Sequence, residues 1–253
     1  MRIILTGALG RMGQKVIEAI NQNDDLQLVL AVDINKGKNT EFSLCPLVSS
    51  LEDKQAQNIE ADCLIDFSFH TSAPEIAQFI TKTKIPAVIA TTGHTEEETK
   101  VIEAAAQFAP VFFAGNMSVG VGLTSKLACE VATMFPDADC EIVESHHNKK
   151  VDSPSGTALM IARAIQHARG GGEIVCGRSG MGPREPGQIG VSAMRLGNIV
   201  GEHTIIFDTG TQAIEIKHTS HDRALFADGA IDAARFLQGK ENKVWKMEDL
   251  LCK

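Results

Sequence analysis

The chain opens Arg2-Ile3-Ile4-Leu5-Thr6-Gly7-Ala8-Leu9-Gly10-Arg11-Met12-Gly13, and this stretch decides the fold. Arg2–Thr6 is a short apolar run, which reads as a strand. Met12–Ile20 places its apolar residues at helical spacing. A G-x-x-G-x-x-G turn joins the two. Gly7 permits a tight turn, Gly10 lets backbone approach a pyrophosphate, and Gly13 lets the helix pack closely on the strand. Arg11 offers a charge-assisted contact to phosphate. Tight strand-to-helix turns also use glycine where no nucleotide binds. The preceding strand, the N-terminal position and Asp33 favour a dinucleotide. Asp33 follows a second apolar run, Leu26–Val32, where a carboxylate accepts hydrogen bonds from a ribose diol. Ile34 stands where an Arg would meet a 2′-phosphate, so Asp33-Ile34 favours NADH over NADPH. Lys36 and Lys38 are the cations that follow.

Working outward, strand and helix alternate through the first half. Asp62–Phe67, Pro86–Ala90 and Val111–Ala114 read as strands, and Pro74–Ile80 and Glu96–Ala106 as helices. Such alternation predicts a parallel, doubly wound sheet. Ligands of these sheets bind beyond the carboxyl ends of the strands. There the chain carries Gly7–Gly13, Asp33, Thr91-Thr92-Gly93 and Gly115-Asn116. The second half differs. A long helix is expected over Val119–Met134, a strand over Asp139–Ser145 and a helix over Ser155–Ala168. Extended segments follow at Glu173–Cys176, Gly190–Arg195, His203–Asp208 and Ala213–His218, as in a mixed or antiparallel sheet with a helix on one face. Phe226–Phe236 returns to helical spacing. The expected organisation is α/β: a Rossmann-type domain of residues 1–117 plus 224–253, and an α+β mixed-sheet domain of residues 118–223.

Bulk properties narrow the function. Of 253 residues, 43% are hydrophobic and 22% charged, as in an ordinary globular protein. The net charge of −8 argues against general nucleic-acid binding, which wants a basic face. No apolar run is long enough for a membrane span, and the N-terminal run is too short for a signal peptide. The six cysteines include no C-x-x-C pair, and several lie in apolar runs, so buried, reduced thiols and a cytoplasmic location are expected.

The chemistry concentrates in Glu144-Ser145-His146-His147-Asn148-Lys149-Lys150-Val151-Asp152-Ser153-Pro154-Ser155-Gly156-Thr157. Proton-transfer side chains stand beside a Ser-Gly-Thr turn that opens a helix, and helix starts present N–H groups that favour an anion. Adjacent histidines on a strand point to opposite faces, so they make a poor metal pair. No other Cys/His cluster has ligand spacing, and no metal is expected. Lys149 reads as a solvated charge, and Asp152 as a partner for a cation or a cap for the helix.

This segment closely resembles the signature of the 4-hydroxy-tetrahydrodipicolinate reductase family. The resemblance extends over nearly the whole chain, through Gly7–Gly13, Thr91-Thr92-Gly93, Ala114-Gly115-Asn116-Met117-Ser118, Gly182-Pro183-Arg184, Arg195–Thr204 and Phe226–Ala230. It implies NAD(P)H-dependent reduction of a cyclic dicarboxylate in the diaminopimelate route to lysine. It also implies His146 as proton donor or acceptor and Lys150 as proton donor. His147 would bind substrate, and Gly156 and Thr157 would hold a carboxylate. Cofactor contacts would come from Gly7, Ala8, Leu9, Gly10, Arg11, Met12, Asp33, Ala90, Thr91, Thr92, Ala114, Gly115, Asn116 and Met117. The family is typically a homotetramer built through the second sheet. Two positions depart from the family pattern: Ala90, where Gly is usual, and Met117, where an aromatic residue is common. Arg195 is left with two readings, a substrate carboxylate or an intersubunit contact, and His203 with none settled. A non-catalytic NAD(P)-binding regulator would not need the His146–Lys150 pair. A dehydrogenase for another amino-acid intermediate would not need the double histidine beside Ser155-Gly156-Thr157.

Overall fold

The structure, a computed structural model, describes residues 1–37 and 42–252. The chain divides into two compact units, Met1–Ser118 with Arg223–Lys253, and Val119–Asp222.

The first unit begins with β1 (Arg2–Thr6), α1 (Arg11–Asn21), β2 (Gln27–Val32), β3 (Leu47–Val48), α2 (Lys54–Gln57) and β4 (Cys63–Asp66). It continues with α3 (Ala73–Thr83), β5 (Ala87–Ile89), α4 (Glu96–Ala105) and β6 (Val111–Phe113). The strands form a seven-stranded sheet in the order β12-β6-β5-β4-β1-β2-β3, where β12 is Val244–Trp245 near the C-terminus. Every neighbouring pair is parallel. The direction of winding reverses between β1 and β4, which is where ligands of such sheets bind. All residues of β4 and β5 are buried, as expected for parallel strands covered on both faces. Ile4 and Leu64 pack with Ile76 and Ile80 of α3 and Ile102 of α4.

Local chemistry sets the helix ends. Thr95 caps α4 through a reciprocal pair: its hydroxyl accepts the Glu98 N–H at 3.2 Å, and the Glu98 carboxylate accepts the Thr95 N–H at 2.8 Å. Glu96, Glu97 and Glu98 fill the first turn, where the helix dipole favours negative charge. The sequence periodicity does not reveal β3, α2, β12 or the short helix α8 (Met247–Leu250). Each is two to four residues long, shorter than one repeat of a helical pattern.

The second unit contains α5 (Val119–Met134), β7 (Asp139–His146), α6 (Gly156–Arg169), β8 (Ile174–Cys176), β9 (Ile189–Arg195), β10 (Gly201–Asp208) and β11 (Ala213–Ser220). Its five strands run β11-β10-β7-β9-β8. β10 is antiparallel to both β11 and β7, while β7–β9 and β8–β9 are parallel, so the sheet is mixed. The helices α5 and α6 share a core with one sheet face, through Cys140 and Ile142 of β7, Val191 of β9, and Ile205 and Phe207 of β10. Residues alternate between buried and more exposed along β10, the mark of a sheet packed on one side.

The chain returns to the first unit as α7 (Ala224–Phe236), which packs against α1. Gly229 lies in this helix, and a β-carbon there would stand 1.7 Å from the Met117 carbonyl oxygen. Only a bare α-carbon allows that approach, so the 116–118 turn depends on it. None of the six cysteines forms a disulfide, but Cys176 and Cys252 are exposed, contrary to the expectation of buried thiols. Cys176 ends the outermost strand of its sheet, and Cys252 follows the last helix, so neither has a layer to cover it. Among the described residues no helix is long and apolar enough to cross a membrane.

Gly229→Ala is expected to destabilise the protein by about 1–3 kcal/mol, the cost of overpacking a close contact. Urea unfolding would show this as a lower midpoint, and an unchanged midpoint would mean that the contact relaxes freely.

Candidate active site

At the switch point of the first sheet, Gly7 has φ of 73°, and a β-carbon on it would stand 2.3 Å from the Phe67 carbonyl oxygen. A β-carbon on Gly13 would meet the Gly7 carbonyl oxygen at 2.2 Å. The first and third glycines are therefore obligatory for the turn itself. Gly10 is exposed and forms the N-cap of α1 without any side-chain hydrogen bond. No acidic residue lies in the first turn of α1, and Arg11 is exposed there. An uncapped helix start with an added cation suits a pyrophosphate.

Asp33 is buried, and its carboxylate accepts the Leu9 N–H at 2.9 Å and the Asn35 N–H at 2.8 Å. It thus ties the end of β2 to the glycine turn. Beside it lies a cavity of about 280 Å³, lined in part by Gly7, Gly10, Asp33, Ile34, Phe69 and Glu75. Ile34 is 72% exposed and Phe69 65% exposed, so two large apolar side chains rim this cavity. Phe69 and Ser68 are additions to the residues expected from sequence. Their signal is position: they directly follow β4, the strand beside β1. Lys36 is exposed, and Lys38 lies outside the described residues.

Ala90-Thr91-Thr92 follows β5, and Ala114-Gly115-Asn116-Met117 follows β6, at the same carboxyl edge of the sheet as the glycine turn. Ala90, Thr91 and Met117 are buried, while Thr92 and Gly115 are exposed. The buried Thr91 hydroxyl has no hydrogen-bond partner among the described residues. The Asn116 side chain accepts the Ser118 N–H at 2.9 Å and shapes the turn into α5.

In the second unit the chemistry gathers at the end of β7. Glu144 is fully buried. Its carboxylate accepts His146 Nδ1–H at 2.6 Å, two Arg195 N–H groups at 2.8 Å each, and the Ser155 backbone N–H at 2.9 Å. Arg195 also donates to the Asp152 carbonyl oxygen at 2.7 Å. Neither partner expected for Arg195 from sequence was Glu144. Register explains the pairing: Glu144 stands opposite Ala193 on the parallel strand β9, one pleat from Arg195. Ser155 caps α6, its hydroxyl accepting the Ala158 N–H at 3.1 Å, and contacts His203 Nε2 at 3.2 Å. The rings of His146 and His203 meet edge to face, with centroids 5.3 Å apart.

Across the turn, Lys150 Nζ lies 2.8 Å from Asp152 Oδ1, while Asp152 Oδ2 is 3.4 Å from the Gly156 N–H. A carboxylate of the chain thereby bridges the lysine and the helix start. Gly156 is exposed, Thr157 and His147 are half-buried, and Lys149 is exposed. The structure thus brings His146, Lys150 and Gly156 around one turn. No group of side chains with metal-ligating character occurs among the described residues.

Electrostatics follow from this packing. Burial pushes the Glu144 carboxyl upward, but the hydrogen bonds from Arg195, His146 and Ser155 outweigh it and hold the group below the usual carboxylate range. Burial lowers His146 against the pull of Glu144, so its imidazole is neutral at pH 7. His203 is pushed down to about 4, first by burial and then by His146.

The fold and these two clusters define an oxidoreductase of the dinucleotide-binding class. Residues 1–117 match the family described as dihydrodipicolinate reductase, N-terminus, and residues 120–251 match dihydrodipicolinate reductase, C-terminus. A 4-hydroxy-tetrahydrodipicolinate reductase of Caldanaerobacter subterraneus subsp. tengcongensis is 42% identical, with 100% of this chain and 99% of that protein covered. The protein of the same name from Methanosarcina acetivorans is 41% identical, with 97% of each covered. A dihydrodipicolinate reductase structure from Paenisporosarcina sp. TG-14, with dipicolinate bound, has a TM-score of 0.83 at 24% identity, covering 97% of both chains. The chain belongs to the dihydrodipicolinate reductase family.

The low value of His203 carries a consequence for stability. As pH falls, the unfolded chain protonates near the ordinary value of 6.5, well before the folded one near 4. Stability is full above that upper value and is lost as pH falls between the two, by roughly 3 kcal/mol in all. Urea unfolding at about pH 7 and about pH 5 should show a smaller acid-induced loss in His203→Gln than in the wild type. Equal losses would show that His203 titrates normally.

Proposed function

We propose that the chain reduces 4-hydroxy-tetrahydrodipicolinate to tetrahydrodipicolinate, with loss of water, in the diaminopimelate route to lysine. The observation that carries this is the turn from His146 to Gly156, where a neutral imidazole, an ammonium and a helix start stand together. The substrate has two carboxylates and, once reduced at C4, an electron-rich ring that must take up a proton. A bound dihydronicotinamide supplies the hydride. Gly7–Met12, Asp33, the 90–92 turn and the 114–117 turn hold that cofactor in the unit made of residues 1–117 and 224–253. Residues 118–223 bind substrate and carry the contacts of a homotetramer.

His146 offers Nε2 for proton exchange with the ring, because Nδ1 is occupied by Glu144. Lys150 supplies positive charge and a transferable proton. A substrate carboxylate replaces that of Asp152 between Lys150 and the Gly156 N–H, with the Thr157 hydroxyl beside it and His147 at the rim. NADH is the favoured cofactor. Among the described residues no lysine or arginine lines the cavity beside Asp33, whereas the carboxylate Glu75 does, which disfavours a 2′-phosphate there. A purely regulatory role would leave the His146–Lys150 pair without use.

Purified protein mixed with freshly generated 4-hydroxy-tetrahydrodipicolinate should oxidise NADH, with a higher kcat/KM than for NADPH. No oxidation of either cofactor would retire the reductase reading, and a clear NADPH preference would retire the cofactor assignment. Lys150→Ala should lower turnover at least about a hundredfold, the scale of a lost general acid. Near-normal turnover would remove Lys150 from the mechanism.

A further inference from the structure

The buried side of His146 is built as carefully as the side that faces the turn. Glu144 sits two residues earlier on the same strand, on the same face of the sheet, because strand side chains alternate. Its two carboxylate oxygens accept four N–H donors: one from His146, two from Arg195 and one from Ser155. No proton is free in this arrangement, so the Glu144 carboxylate can only accept. His146 must then carry its proton on Nδ1, which leaves Nε2 as the nitrogen for chemistry. Across the sheet, Gly201 keeps that nitrogen uncrowded, since a β-carbon there would stand 3.0 Å from Nε2.

From this geometry we infer that Glu144 is the positioning residue of the site: it fixes the His146 ring and its Nδ1–H form, while Arg195 balances the Glu144 charge. The inference rests on the proton-transfer reading of His146 given above. Arg195 helps to keep the Glu144 carboxylate ionised, through two N–H groups at 2.8 Å each. Burial is the largest influence on His146 and lowers it; Glu144 pulls the other way, and Lys150 and then Arg195 add to the lowering. The other charged or titratable groups around the ring are Lys150 and Asp152 from the turn and His203 from β10, with His218 of β11 acting on His203. Lys150 and Arg195 both work against a charged imidazole, and Glu144 is what favours one. Ser155 completes the link. The carboxylate that orients the imidazole also holds the backbone at the start of α6, so the proton-transfer group and the anion-binding helix start share one anchor.

Glu144→Gln is the direct test. A glutamine brings one acceptor oxygen and a donor NH₂ to a place surrounded by donors. The NH₂ would turn toward Nδ1 and force the proton to Nε2. The full-length protein, labelled with ¹⁵N-histidine, would be followed by long-range proton–nitrogen correlation, with His146 assigned by its absence in His146→Gln. In the wild type, the neutral ring should be the Nδ1–H form. In Glu144→Gln, it should become the Nε2–H form, with its titration midpoint lower by about one pH unit or more. The fall in kcat should be at least about tenfold, with NADH affinity unchanged. A wild-type ring protonated on Nε2 would overturn the inference even if the variant fails to fold. An unchanged tautomer and midpoint in a folded variant would also overturn it. Normal turnover of His146→Gln would instead retire the proton-transfer reading and leave the resonance data to decide the role of Glu144.

Discussion

A buried carboxylate at a strand end that accepts the N–H groups of the next loop is the interaction on which both sites depend. It occurs three times among the described residues. Asp33 after β2 accepts from Leu9 and Asn35, Asp66 at the end of β4 accepts from Thr6 and Ser68, and Glu144 near the end of β7 accepts from Ser155, His146 and Arg195. A carboxylate is costly to bury unless its lone pairs are filled, and loops have N–H groups that no strand or helix satisfies. Each need meets the other at Asp33 and Glu144, whereas at Asp66 Oδ1 takes the hydrogen bonds and Oδ2 has no partner among the described residues. The loops that carry chemistry are thereby held to the rigid sheet rather than left to the solvent.

The two units use this device for different ends. In the first, Asp33 pins the glycine turn, and steric exclusion does the rest: any side chain at Gly7 or Gly13 would collide with backbone. What remains is an open helix start above the switch point of the sheet. In the second, Glu144 fixes an imidazole and a helix start together. Membership of the dihydrodipicolinate reductase family agrees with that division, since the N-terminal and C-terminal family regions meet at residues 117–120.

The sequence was most legible where a pattern is long or chemically specific. The strands β1, β2, β4 and β7 and the helices α5, α6 and α7 follow from apolar periodicity, and the glycine turn from its spacing. The segment from His146 to Thr157 announced its chemistry through residue type. The short elements β3, α2, β12 and α8 were invisible, because their formation depends on neighbours and not on a repeat, whereas the equally short β4, β5, β6 and β8 stood out as apolar runs. The exposure of Cys176 and Cys252 was equally hidden, since an apolar context does not say whether a strand lies at the edge.

The sequence by itself determined that a dinucleotide turn precedes a proton-transfer segment, because both are contiguous stretches whose residue types and spacing carry their own meaning. Tertiary structure alone decided who serves those residues. Glu144 and Arg195 are 51 positions apart and meet only because β7 and β9 pair in parallel. Ser155 reaches His203 across 48 positions for the same kind of reason. Strand register creates contacts between residues that share no local pattern, so the support of the site becomes visible only once the sheet is formed.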